Sequence, residues 1–213
     1  MNILALDTTG AACTVALRRD GHDDLILSEN IGRGHAERLA PMVEQVLAEA
    51  GLAPQLLDRI GVTVGPGSFA GSRVGVAFAR GLALSSGAPA FGLSNLAVIA
   101  AQHVEQRPLA VVHDAKRGDV VVQVFDDEDL ADPERFGRDQ ARQMLQSRFS
   151  GGVSLAGSGA ALFDDLGPVL GTGVIDAKPM LTLTALSPLS ASPPVPFYAR
   201  PPDAKLPGGV DPA

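Results

Sequence analysis

Residues 60–84 read IGVTVGPGSFAGSRVGVAFARGLAL, a strand, a tight turn and a helix in direct succession. Ile60, Val62 and Val64 alternate with smaller residues, which predicts a short buried strand over 60–64. Gly65-Pro66-Gly67-Ser68-Phe69-Ala70-Gly71 forms a Gly-rich turn, and helical spacing then runs over 71–86 to a candidate C-cap at Gly87. The helix carries two charges, Arg73 and Arg80, seven residues apart and therefore on one face. Gly71, Gly75, Phe78 and Leu82 occupy the opposite face. The Arg face also holds Ala77 and Leu84, flanked by Val76 and Ala83. A helix that is apolar nearly all round is covered on more than one side. In a chain of 213 residues, one of those sides is expected to face another protein.

Working outward, residues 2–7, 12–19 and 24–31 read as three strands, with Asp20-Gly21 as a hairpin signal. A helix over 35–50 ends at Gly51, and after the 60–86 unit come a strand near 90–93 and a helix from Ser94 to Val104. The βββαβα order predicts a ribonuclease-H-like unit. A weak repeat follows. Leu109–Asp114 is a strand ending in Asp, and Lys116-Arg117-Gly118 turns into the alternating Asp119–Phe125, the plan with which the chain opens at Asp7. Asp114 lies 107 residues after Asp7, so a duplicated unit is expected, or else a chance likeness of two hairpins. The boundary falls near 106–108. This predicts a first lobe over 1–106 and a smaller second lobe over 107–213, in a two-lobed actin-like α/β fold. The second half reads as a helix over 137–149 and a strand over 153–156. Eight of the sixteen prolines fall in 188–212, which predicts an extended or partly disordered tail.

Composition narrows the function. Hydrophobic residues make up 46% and charged residues 19%, ample for a packed core. The net charge of −7 opposes independent binding to phosphate backbones, and 4% aromatics offer little base stacking. The single Cys13 excludes an internal disulfide and suits a reducing cytoplasm. MNILALD has no basic leader, and no apolar run reaches the roughly 18 residues of a membrane span, so a cytoplasmic protein without membrane contact is expected.

Two actin-like lobes would enclose a nucleotide cleft, whose parts are recognisable but poor. Asp7-Thr8-Thr9-Gly10 stands at the first phosphate turn with one Gly where close phosphate approach favours several. Asp114–Gly118 stands at the second with bulky residues, and Gly157-Ser158-Gly159-Ala160 is a candidate adenosine contact. Asp7, Thr8, Gly10, Gly157 and Gly159 are thus vestigial candidates, and no working cofactor is assigned. Asp7 and Asp114 are also candidates to meet across the cleft. The 65–71 loop lacks the Lys of a P-loop, and its glycines read as allowing close packing. None of His22, His35, His103 and His113 forms an H-x-x-x-H pair, and Ser68 is not in a nucleophile elbow, so no metal and no catalytic residue is assigned. In the first helix, Leu39, Val43, Val46 and Ala50 form a core stripe. Ala36, Ala40, Met42 and Leu47 widen it to roughly 160°, more than the ~100° one packed face needs. The surplus means either a helical interface or a thicker monomer core.

The segment GPGSFAGSRVGVAFARGLAL resembles the signature of the TsaB (YeaZ) family, bacterial proteins that work with TsaD in making threonylcarbamoyladenosine in tRNA. Ile3–Thr9, His35–Pro41 and Tyr198–Lys205 resemble the family's opening strand, first helix and C-terminal tail, so the likeness runs from end to end. TsaD-like relatives carry H-x-x-x-H on the first helix. Here His35 matches the first position and Leu39 stands in the second, which argues against carrying TsaD chemistry over. The resemblance implies a non-catalytic scaffold that binds TsaD through first-lobe helices, with His35, Leu39, Met42, Arg73, Val76, Ala77, Arg80 and Leu84 at the interface. It also implies a TsaE-like ATPase as a further partner; the net charge and few aromatics leave tRNA contact to the complex, and the surplus apolar helix surface predicts a homodimer when the chain is isolated. Lys116, Arg117, Arg200 and Lys205 are candidates for auxiliary phosphate contacts. The alternatives from other classes are a sugar-kinase-type phosphotransferase and a metallopeptidase-like protein.

Overall fold

The computed structural model describes residues 1–126 and 132–199. Its frame is two five-stranded sheets of identical plan. The first contains β1 (Asn2–Asp7), β2 (Ala12–Arg19), β3 (Leu25–Asn30), β4 (Arg59–Gly65) and β5 (Ala90–Ser94), in the order β3-β2-β1-β4-β5. The second contains β6 (Leu109–Lys116), β7 (Asp119–Phe125), β8 (Glu134–Gly137), β9 (Ser154–Ala156) and β10 (Val169–Gly171), in the order β8-β7-β6-β9-β10. In each sheet the first three strands are antiparallel neighbours, and the last two are joined in parallel to the first. The weak sequence repeat is therefore a duplicated ribonuclease-H-like unit, and the protein is a two-lobed actin-like α/β fold.

Burial follows strand position. The central β1, NILALD, is buried on both faces from Ile3 to Asp7, whereas edge strand β3 alternates half-buried and exposed, with Leu25 and Leu27 turned to the core. Helices α1 (His35–Glu49) and α2 (Phe69–Ser86) cover one face of the first sheet, where Leu39, Met42, Val46, Val76 and Ala79 pack on Leu4, Leu6, Val15 and Val62. Ser68 caps α2 by accepting from Gly71 N at 3.1 Å, and Gly87, at φ 82°, ends the helix as expected. On the other face, α3 (Asn95–Ala101) fills the space between the sheets. Its Leu96, Ile99 and Ala100 meet Leu109, Val111, Val121 and Phe125. Helix α4 (Arg138–Arg148) and a 3-10 segment (Ala160–Leu166) close the outer face of the second sheet.

The assignment of all of 107–213 to the second lobe needs correction. Helix α5 (Ala177–Leu186) returns to the first sheet, where Ala177, Met180 and Leu181 pack on Ile3, Ala5, Ala16 and Leu93. The reason is steric as well as hydrophobic: a Cβ on Gly61 of β4 would lie 1.9 Å from Thr184 Oγ1, so the helix seats against a strand with no side chain there. The extended stretch after α5 stays on the same lobe. Phe197 N donates to Val64 O at 2.8 Å, and its ring joins the cores of both lobes. Of the expected tail contacts, Arg200 and Lys205 lie outside the described residues.

Candidate functional site

The Gly-rich turn and the end of β1 form one packed unit. Asp7 is 3% exposed, and its Oδ1 accepts from Thr9 N (3.0 Å), Thr9 Oγ1 (2.6 Å) and Thr63 Oγ1 (2.5 Å). Asn95 extends the network, donating to Thr9 Oγ1 at 2.7 Å and accepting from Gly65 N at 3.0 Å. Thr8 Oγ1 donates to Gly71 O at 2.7 Å, and Ser68 N donates to Thr9 O at 2.8 Å. A Cβ on Gly67 would sit 2.6 Å from Thr9 O, one on Gly71 1.9 Å from Thr8 O, and one on Gly75 2.5 Å from Thr8 Oγ1. These glycines let α2 approach the backbone of the first hairpin. A Cβ on Gly10, by contrast, meets nothing within 4 Å.

Across the cleft, Lys116, Arg117 and Gly118 are three consecutive left-handed residues in the β6–β7 turn. Lys116 N and Nζ donate to Asp114 at 2.9 and 2.7 Å, and this hydrogen bonding holds the Asp114 carboxyl below the usual range. Gly157 (φ 100°) and Gly159 press on β6, where their Cβ atoms would lie 2.3 Å from Val112 O and 2.8 Å from Val112 Cγ1. Ser158 Oγ accepts from Asp114 N at 3.1 Å and lies 3.3 Å from His113 Nδ1. Burial pushes the His113 imidazole below its ordinary value of 6.5.

Between the lobes lies a cleft of about 460 Å³ whose lining includes Asp7, Gly10, Asn95, His113, Ser158 and Val174. It brings together Asp7, Gly10 and Ser158, but Gly157 and Gly159 pack against β6 without lining it, Thr8 is turned into α2, and Asp114 does not line it. The nucleotide that such a fold implies finds a poor fit. The Thr9 amide is committed to Asp7, and among the described residues no Lys or Arg lines the cleft. Among the described residues no three His, Cys, Asp or Glu gather. His35 Nε2 donates to Ala12 O at 3.2 Å, and Leu39 is in the core.

The interface residues split. Leu39, Met42 and Val76 are core residues of the lobe, and His35 is buried at the start of α1, so they offer a partner no free side-chain surface. Arg73, Ala77, Arg80 and Leu84 are exposed along α2, with Leu84 at 89%. Ala70 and Gly81 continue their row, and Ala36, Ala40, Pro41 and Ala48 are exposed on α1 beside it. Sequence reasoning missed the aromatic clamp at its end. Arg73 stacks 3.8 Å over the Phe69 ring and donates to Tyr198 Oη at 2.8 Å, and the two rings are 4.8 Å apart.

Paired sheets of this plan, meeting at a central cleft, define a two-lobed actin-like protein. The family model TsaD, tRNA N6-adenosine threonylcarbamoyltransferase, matches residues 26–156. The tRNA threonylcarbamoyladenosine biosynthesis protein TsaB of Haemophilus influenzae is 41% identical over 100 residues, 47% of this chain and 42% of its own length. The matched stretch thus spans less than half of that relative. An uncharacterised protein of Mycobacterium bovis is 31% identical over 95% of this chain and 93% of its own. YeaZ from Pseudomonas aeruginosa superposes with a TM-score of 0.73 at 27% identity, covering 87% of this chain and 91% of that one. The chain belongs to the TsaD family and, within it, to the TsaB (YeaZ) group.

Proposed function

We propose that this chain serves the biosynthesis of threonylcarbamoyladenosine in tRNA as a non-catalytic subunit that binds and orders a TsaD-like transferase. One observation carries the reading: the outer row of α2 sets small residues Ala70, Ala77 and Gly81 beside the fully projecting Leu84, with Arg73 and Arg80 along its rim. Small side chains let a partner helix approach closely, and the guanidinium groups suit partner carboxylates. The worn phosphate turns and Leu39 in the second ligand position support a subunit without chemistry of its own. A TsaE-like ATPase completes the assembly, tRNA is engaged through the complex, and the isolated chain covers the same face by homodimerising. No helix among the described residues is long and apolar enough to cross a membrane.

Ala77→Glu tests this. Ala77 is exposed, so the monomer fold survives, while an unpaired charge at the centre of the face costs several kcal/mol of association. Analytical ultracentrifugation with a TsaD-like partner should show loss of both complex and self-association, and modification of tRNA in the reconstituted system should fall with it. Unchanged association places the interface elsewhere. Micromolar Mg-ATP binding with turnover by the isolated chain overturns the non-catalytic reading.

A further inference from the structure

We propose that the cleft between the lobes binds a small organic cation, an ammonium or amidinium group carried on an apolar body. Asp7 takes all three of its donors on Oδ1, and Oδ2 has no hydrogen-bond partner among the described residues. Oδ2 is not among the fully enclosed orphan atoms, and Asp7 lines the cleft, so this oxygen opens onto it. No Lys, Arg or His pairs with Asp7 among the described residues. A carboxylate this deeply buried without a counter-ion is unfavourable, and a bound cation offsets the cost in a site where charge interacts more strongly than in water.

The rest of the lining fits the body of such a ligand. Ala11, Ala12, Leu96, Ile99 and Ile175 present apolar surface, while Asn95 and Ser158 supply neutral polar groups. The volume of about 460 Å³ lies in the range of small-molecule sites. Among the described residues of the lining, an anion would meet Asp7 and no Lys or Arg. A hard metal ion would meet one carboxylate, where Mg²⁺ or Ca²⁺ takes several oxygen ligands. The proposal stands apart from the subunit role, because the cleft and the outer face of α2 are separate surfaces.

The test is titration of the full chain with benzamidinium and n-butylammonium, and with benzyl alcohol and butyrate as neutral and anionic counterparts. Binding is followed by calorimetry and by backbone amide shifts. Both cations should bind at least ten-fold more tightly than their counterparts and shift the amides of Asp7, Asn95 and Ser158. Asp7→Asn keeps the acceptor for Thr9 and Thr63 and should weaken the cations at least ten-fold. Val174→Trp, at an exposed position in the cleft lining, should block them with Asp7 intact. If Asp7→Asn does not fold by circular dichroism, Val174→Trp decides. Equal binding of benzyl alcohol, or cation binding undiminished in Val174→Trp or in a folded Asp7→Asn, overturns the proposal. So does displacement of benzamidinium by Mg²⁺ or Mg-ATP.

Discussion

Cys13 and His113 are both titratable groups set by burial, and both give measurable consequences. The Cys13 thiol is pushed up to about 11, first by burial and then by the nearby Asp7 carboxylate. The thiolate is the reactive form, so alkylation by iodoacetamide at pH 8 should be far slower than for a free cysteine and should reach full rate only on unfolding in urea. Alkylation of the native protein at the rate of a small thiol would contradict the buried placement. His113 lies below 6.5 in the folded chain, mainly through desolvation. The unfolded chain therefore takes up the proton first as pH falls, and the stability that the neutral imidazole contributes above about pH 6.5 is lost on acidification. Tm should decline between pH 7 and 5.5, and His113→Gln should flatten that slope. The Asp114 carboxyl, lowered chiefly by its hydrogen bond to Lys116, adds stability in the same direction, lost only in more acidic solution.

Among the elements, α2 shows how one helix can carry opposite requirements at residues of the same type. Gly71→Ala would drive a methyl into Thr8 O, a backbone atom 1.9 Å away, and should destabilise the fold by about 1–3 kcal/mol or prevent it. Gly81→Ala meets nothing within 4 Å and should stabilise the helix by about 0.5–1 kcal/mol. Urea unfolding midpoints separate the two, and a stabilising Gly71→Ala would refute the packing account. The glycines of the 65–71 turn were legible as packing residues because the spacing implied a helix pressed on a strand. Strands β1 to β4 and helices α1 and α2 were legible for the same reason: long periodic runs end in Gly or Asp-Gly. Elements of three or four residues, such as β8 (ERFG) and β10 (VLG), hold too few positions to show a period. Helix α5 drew no helix signal from the sequence, because Pro179 lies in its first turn and its two threonines, being β-branched, weaken helix propensity. Leu39 reads as a core residue from its spacing, and the family likeness alone puts it with Met42 and Val76 at the interface; periodicity marks an apolar face without saying how much of it the molecule's own sheet covers. Asp7 was legible as a turn residue, but its free Oδ2 depends on Thr63, 56 residues away.

For the whole molecule, the chain's last described stretch ties the proposed outer face to the core. After α5 crosses to the first sheet, Phe197 is pinned by Val64 and packs on both cores, and Tyr198 is delivered to the start of α2. There its hydroxyl accepts from Arg73 Nε, while the guanidinium stacks on Phe69. Exposed Arg73 is thereby tethered at Nε and by its stacking, so less side-chain entropy is lost when a partner carboxylate pairs with it. Tyr198→Phe removes the hydrogen bond and keeps the ring. It should leave the monomer's Tm within a few degrees, since one exposed hydrogen bond contributes about 0.5–1.5 kcal/mol. Its association with a TsaD-like partner should weaken severalfold, and Arg73→Ala should weaken it more, by about ten-fold or above, as for loss of a charged rim contact together with its stacking. In the double variant the Tyr198 effect should vanish, because the tyrosine acts through the arginine. Sedimentation or calorimetric titration of the three variants reads this directly. Additive losses would mean that Tyr198 touches the partner itself, and no loss in any variant would remove this end of α2 from the interface.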